Sequence, residues 1–575
     1  TIRKTLGMRQ FTEETALEAF APPIPDISEP DVTQNDVDDA LASRERIRQI
    51  YLDGQERGFI DYEEELFGNT GLLSTTSLSI SGGGEDTQFF LSGLLQDDEG
   101  IVERTGYDKR SLRLNLDHSL TDRIQLSGTV NYVNANTRRG LTGNDNSQTT
   151  FGVALTGTPN FIDIRPDDEG NYPNHPFIAS NPLQTRDLFT NQEVVNRVVA
   201  SAQTEYNVLN TEQQSVRLIA QGGVDFFSLE QEAFFPNSLQ FERDSSEPGT
   251  SILGETTSFN TNVRLLGVHT LTLPDTDLTF TTQAGVTGVR IDQLNSNFVA
   301  NGLIPGQQNL DQATSLSPGQ FREFQNDRSF FAQEELNYAD RVIATVGLRG
   351  DRSSLNGDVN TFNLYPKASA AFNLHNFGFW SFDAVNQFKL RAAFGQTGNI
   401  AGFGTKFTSL QATAIGGVVG TLINSQRGFA DIKPERQTEI EAGFDLGLWE
   451  SRANVAFTVY RKEITDQLLR REVPASTGFR LETFNGGTLV NRGLETTLTL
   501  VPVERDNMRW RSRTSFWAND AEVTSLPVPA FNAVGGGFGA TLGQIQIEEG
   551  KSPTQIIGID DRDGDGTSDG VFQLG

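Results

Sequence analysis

The sequence predicts an all-β protein, a transmembrane antiparallel up-and-down β-barrel. Three observations predict it. Apolar and polar residues alternate with a period of two, the alternating segments are long, and the connections between them switch between tight turns and wide excursions.

A period of two is the mark of a strand whose two faces meet different surroundings. Leu112, Leu114 and Leu116 alternate with Arg113, Asn115 and Asp117. Ile124, Leu126, Gly128, Val130 and Tyr132 alternate with Gln125, Ser127, Thr129 and Asn131. Ala453, Val455, Phe457 and Val459 repeat the pattern against Asn454, Thr458 and Tyr460. Many such segments exceed the ~5 to 6 residues usual for soluble strands. They reach the ~9 to 11 residues that a tilted strand needs to cross hydrocarbon.

In chain order, residues 1–73 read as a loop region outside the membrane with a short helix, because Leu41, Ile47, Ile50 and Tyr51 recur at helical spacing after a Pro-rich stretch. Sixteen strands follow within 74–520, near 74–82, 87–97, 110–119, 123–134, 193–207, 213–226, 254–273, 277–290, 328–338, 341–352, 362–374, 388–399, 437–449, 452–466, 489–503 and 508–520. Short connections such as 274–276 and 339–340 take turns with excursions such as 135–192, 227–253, 291–327 and 400–436. Outer-membrane barrels segregate their connections this way, with tight turns at the periplasmic rim and long loops outside. Two gaps fit less cleanly, since 375–387 is long for a turn and 353–361 is short for a loop. Residues 521–575 read as an extracellular loop with an Asp-rich turn. Phe226, Phe227, Phe330, Phe331, Trp449 and Phe516 stand near strand ends, where either interfacial girdles or ordinary packing would use them.

Composition agrees. Only 36% of the 575 residues are hydrophobic and no apolar run suits a spanning helix, whereas a barrel needs apolar residues on one face alone. Cys is absent, which removes disulfides and thiolate metal sites. A net charge of −29 argues against nucleic acid as a partner. The first residue is Thr1 and no signal peptide follows, so a processed, trimmed or partial chain is expected.

No enzymatic constellation emerges. His118, His175, His269 and His375 are dispersed, and neither Gly82-Gly83-Gly84 nor Gly535-Gly536-Gly537 has the context of a phosphate cradle. One local pattern suits a metal. Asp561, Asp563 and Asp565, with Gly566 after the third, reproduce the first half of a calcium loop; Thr567 would add a carbonyl and Asp569 a direct or water-mediated ligand. The twelfth position is Phe572 instead of a bidentate Glu, so a solvated acidic turn stands beside calcium as a reading. No other cofactor is called for. Tyr172 and Phe177, in the loop 158–185, suit either stacking on sugar rings or anchoring the loop, and no substrate contact is assigned.

Several segments resemble the SusC/RagA family of TonB-dependent outer-membrane transporters. Leu78-Ser79-Ile80-Ser81-Gly82-Gly83, Glu99-Gly100-Ile101-Val102 and Arg113-Leu114-Asn115-Leu116-Asp117 are similar to an early hairpin of that family. Leu390 to Asn399 (LRAAFGQTGN), Lys433-Pro434-Glu435, Glu439 to Asp445 (EIEAGFD), Tyr460-Arg461-Lys462, Asp466-Gln467-Leu468-Leu469 and Val490 to Glu495 (VNRGLE) follow in the family's order. The resemblance covers residues 60–575 and implies about 16 strands of a probable 22, with the plug domain and the last strands missing. It also implies residence in a Gram-negative outer membrane and import of a glycan or peptide oligomer. The implied partners are a SusD-like surface lipoprotein and a TonB complex engaged through the missing N-terminal segment. A siderophore or small-chelate receptor, and a structural or adhesive protein without transport, are the alternatives.

Overall fold

The computed structural model describes residues 11–29, 31–537, 543–560 and 570–574. All sixteen expected strands form, and they pair into one antiparallel sheet. The first eight are β1 (Leu73–Gly83), β2 (Thr87–Glu99), β3 (Gly106–Thr121), β4 (Ile124–Arg138), β5 (Thr190–Asn210), β6 (Gln214–Phe235), β7 (Thr250–Leu273) and β8 (Leu278–Leu303). Next come β9 (Ala313–Tyr338), β10 (Val342–Ser353), β11 (Asn363–Asn373) and β12 (Val385–Asn399). A long loop carries β13 (Leu410–Ile415), β14 (Val418–Ile423) and β15 (Gln426–Arg427). The wall resumes with β16 (Glu435–Leu448) and β17 (Ala453–Thr465), leaves for β18 (Leu468–Glu472) and β19 (Leu481–Asn485), and ends with β20 (Thr488–Arg505) and β21 (Met508–Ser525). Each wall strand pairs with the preceding and following one, and β1 and β21 are the sheet's two edges.

The register explains the alternation. Val130 pairs with Ala200, Ala200 with Val224, Leu265 with Val286 and Val286 with Phe330, so one continuous apolar face runs across the sheet. Leu265 and Val286 remain 52% and 51% exposed on that face, as side chains turned toward lipid do. The offset residues put Arg197, Asp225, Arg264, Gln333, Arg349 and Lys367 on the other face. By the same parity Phe226, Phe330 and Phe516 lie on the outer face, whereas Phe227 and Phe331 point inward and belong to no girdle.

At the tight-turn rim, Ala339 and Asp340 both adopt positive φ, 50° and 53°, in a turn that the Arg341 N–H closes on the Tyr338 carbonyl at 2.8 Å, a sense of turn that suits the twist of a hairpin. The long turn between β11 and β12 has a reason to be long. It gathers Phe377, Phe379, Trp380 and Phe382, with Phe379 stacked on Phe377 at 5.4 Å and Trp380 against Phe382 at 5.1 Å. Exposed Trp449 lies in the next turn of that rim, so the aromatics suit a membrane interface.

Three expectations change. The gap 291–327 is mostly strand, because β8 and β9 stay paired from Leu278 opposite Tyr338 up to Leu303 opposite Ala313. Beyond the bilayer both faces are wet, so the alternation fades while the backbone still pairs. At the start of the chain three helices form, Glu13–Phe20, Gln34–Arg57 and Tyr62–Phe67. The middle one has 24 residues and is fixed by a capping box between Thr33 and Asp36 and by Gly58 at positive φ. Finally, 521–575 holds a four-stranded sheet of β22 (Phe531–Gly537), β23 (Gln544–Ile547), β24 (Ile556–Asp560) and β25 (Gly570–Leu574). A register shift between Asn532 and Gly537 breaks its alternation and hides it from a pattern reading.

Candidate functional site

Two features compose the site: the polar inner face of the wall and a folded cap on its long-loop rim. On the inner face, charges are fastened across strands. The Arg197 Nε donates to Asp225 Oδ1 at 2.8 Å, Arg217 meets Glu205 at 3.4 Å, and Arg391 meets Asp445 at 3.6 Å while donating to the Thr458 hydroxyl. These groups are partly open to solvent, so each pair adds at most about 1 kcal/mol. Their effect is to line the interior with ordered polarity.

A cavity of about 420 Å³ opens on this face between β7 and β12. Arg264, Gln333, Arg349, Asp351, Tyr365 and Lys367 line it, beside Phe331 and Thr397. Arg349 is held by Asp351 at 2.8 Å and by the Ser329 hydroxyl at 2.9 Å.

The cap has its own core. Ala16, Tyr51, Tyr62 and Leu66 from the N-terminal helices pack with Phe151, Leu155, Phe161, Ile164 and Leu183 from the loop between β4 and β5. The Tyr62 hydroxyl donates to the Ile162 carbonyl at 2.9 Å and accepts from the Ile164 N–H at 3.1 Å. Burial outweighs that accepted bond and pushes its pKa up to about 12. Asn181 caps the helix Pro182–Leu188 by accepting from Leu183 and Gln184, and its amide donates to the Ile164 and Pro173 carbonyls. Both ends of this fully buried side chain are therefore satisfied.

His175 is buried and acts as a structural clasp. Its Nδ1 accepts from the Phe177 and Ile178 N–H groups at 3.2 Å, which leaves Nε2 as the protonated nitrogen facing the Thr158 hydroxyl at 3.1 Å. Gln240, beyond β6, accepts from the His175 N–H at 2.7 Å and donates to the His175 and Ile178 carbonyls. Burial without a countercharge lowers the imidazole pKa to about 3.

Tyr172 and Phe177 sit inside this assembly. The Tyr172 hydroxyl donates to Asp187, Phe177 stacks on Phe20 at 4.5 Å, and both pack against the cap core. The anchoring reading fits their placement. Asp561, Asp563, Asp565, Thr567 and Asp569 lie outside the described residues. Among the described residues, no group of three or more His, Asp or Glu is arranged to hold a metal.

The motif residues converge at one corner of the long-loop rim, which sequence spacing had no means to show. Glu435 accepts from the Asn399 amide at 3.0 Å and from the Leu468 N–H at 2.7 Å. Asn485 accepts from the Lys433 N–H at 2.7 Å and donates to the Lys433 and Asp466 carbonyls. The loops after β12, β17 and β19 are thereby tied together.

Residues 143–546 match the family model described as TonB dependent receptor-like, beta-barrel. The chain belongs to this family. TonB-dependent receptor P26 of Formosa agariphila is 26% identical over 480 residues, covering 79% of this chain and 46% of that protein. TonB-dependent receptor SusC of Bacteroides thetaiotaomicron is 21% identical over 504 residues, covering 81% and 48%. The chain spans about half the length of the curated relatives it matches. A solved structure of the RagAB peptide transporter superimposes with a TM-score of 0.75 at 18% identity, covering 92% of this chain and 60% of that one, and so shares the fold. The SusC/RagA resemblance thus holds, and the TonB-dependent receptor barrel is an outer-membrane one.

Proposed function

We propose that the complete protein imports an oligomeric nutrient, a glycan or a peptide, across the outer membrane. One observation supports this most: a wide antiparallel wall has an apolar outer face, an inner face of fixed charges, and a folded cap on the rim where substrate arrives. In this reading TonB supplies the energy through an N-terminal plug, and a SusD-like lipoprotein closes the mouth. The wall contributes a polar passage and performs no bond chemistry.

Deleting the gene and measuring growth on defined glycans and peptides tests the reading. Loss of growth on one oligomer class, restored by the intact gene, is expected; an unchanged uptake spectrum overturns import. Recovery of a stoichiometric lipoprotein on purification from membranes supports the partner, and its consistent absence removes it. Calcium binding by Asp561, Asp563, Asp565, Thr567 and Asp569 is proposed on spacing alone. Calorimetry on the intact protein decides it, since no heat at millimolar calcium removes the site.

A further inference from the structure

We propose that the inner-face cavity between β7 and β12 recognises the carboxylate of a uronate-bearing oligosaccharide. This rests on the import reading and names the substrate class for it.

Some cations elsewhere on the inner face are neutralised by the wall itself, although others, such as Arg113 and Lys389, stand singly without a carboxylate among the described residues. Arg197, Arg217 and Arg391 each meet a carboxylate from an adjacent strand. Inside the cavity, two cations without a carboxylate line one shared space. Asp351 is its one carboxylate, and Arg349 already occupies both of its oxygens at 2.8 and 3.0 Å. Among the described residues, neither Arg264 nor Lys367 has a carboxylate within ion-pair distance or a hydrogen-bond acceptor on its side chain. Two cations are thus left facing a shared space in a chain whose net charge is −29.

The wall makes room for them. A Cβ on Gly347 would stand 3.0 Å from Lys367 Cε, so glycine at 347 lets the lysine stem lie across the neighbouring strand. Tyr365 reaches over Gly398, where a Cβ would meet its hydroxyl at 2.0 Å, and that hydroxyl has no protein partner among the described residues.

Around the cations stand neutral groups of a particular kind: the Gln333 amide, the Thr287 and Thr397 hydroxyls and the Phe331 ring. Cations suit a carboxylate, amides and hydroxyls suit ring hydroxyls, and an aromatic ring suits the C–H face of a sugar. A volume of about 420 Å³ lies within the range of small-ligand sites and holds a short stretch of such a chain. An acidic peptide would satisfy the cations but would leave its backbone N–H groups competing for few acceptors, since the one carboxylate is engaged.

The test uses the full-length protein in detergent, titrated with a mixed pool of uronate oligosaccharides. The same pool after carboxyl reduction serves as the neutral counterpart, and a glutamate-rich peptide of matched length as the third probe. The acidic pool is expected to bind at least about tenfold more tightly than the reduced pool, an advantage that weakens with salt. The double variant Arg264→Gln/Lys367→Gln is expected to lose that advantage while binding the reduced pool as before. Equal binding of both pools overturns the proposal, and so does preference for the peptide. A variant that melts at lower temperature without any change in selectivity also overturns it, because the cations would then hold a carboxylate of the protein itself. Failure of the import reading looks different: none of the probes binds and gene deletion leaves growth on every oligomer unchanged.

Discussion

Single residues fix the cap more than they fix the wall. His175 titrates near pH 6.5 in an unfolded chain and near 3 when buried, so between these values the unfolded state alone holds the proton. Cap stability is therefore full above about pH 6.5 and falls as pH drops toward 3, by about 1.4 kcal/mol per pH unit. Calorimetric melting at pH 7 and pH 5 should show this for the cap transition, and His175→Gln should flatten the slope; identical slopes would remove the clasp from the account. Gly54 is a second such position. A Cβ there would come within 2.2 Å of the Phe161 carbonyl oxygen, and backbone has no rotamer with which to retreat. Gly54→Ala is expected to cost about 1–3 kcal/mol, the usual range for overpacking, read as a lower denaturant midpoint of the cap.

At the scale of elements, parity decides which substitutions matter. Leu265 faces lipid and Gln283, three rungs along the same ladder, faces the interior. Leu265→Arg should destabilise the folded wall in bilayers by about 2–4 kcal/mol if it lies near the midplane, and less near an interface. Gln283→Arg should cost well under half of that. Comparable losses for the two in reversible bilayer unfolding would mean that the faces are assigned the wrong way round. The extension of β8 and β9 past the alternating region follows from the same logic of faces. Each backbone N–H still prefers a partner, while water on both sides no longer selects apolar residues.

For the whole molecule, the N-terminal helices and the loop between β4 and β5 are one folding unit perched on the rim. Phe161 is fully buried only because Phe11, Phe20 and Tyr51 pack against it from the N-terminal region. Removing residues 11–67 should leave the wall intact but speed proteolysis within 150–185 by at least about tenfold, as local stability there is lost. An unchanged cleavage rate would show that the loop holds itself.

By itself the sequence determined the wall. Two-residue alternation is a local signal, repeated along every strand, and the contrast between lipid and polar interior is strong enough to write it into the order of residues such as Leu112 to Asp117. Strand number, turn rim and family motifs were legible for that reason. Tertiary structure alone decided where distant segments meet. Nothing in the spacing of Asn399, Glu435 and Asn485 foretells that they tie one rim corner, nor that Arg264 and Lys367, about a hundred residues apart, share a cavity. Such contacts depend on register and shear summed over several strands, and a single strand's pattern carries no record of that sum.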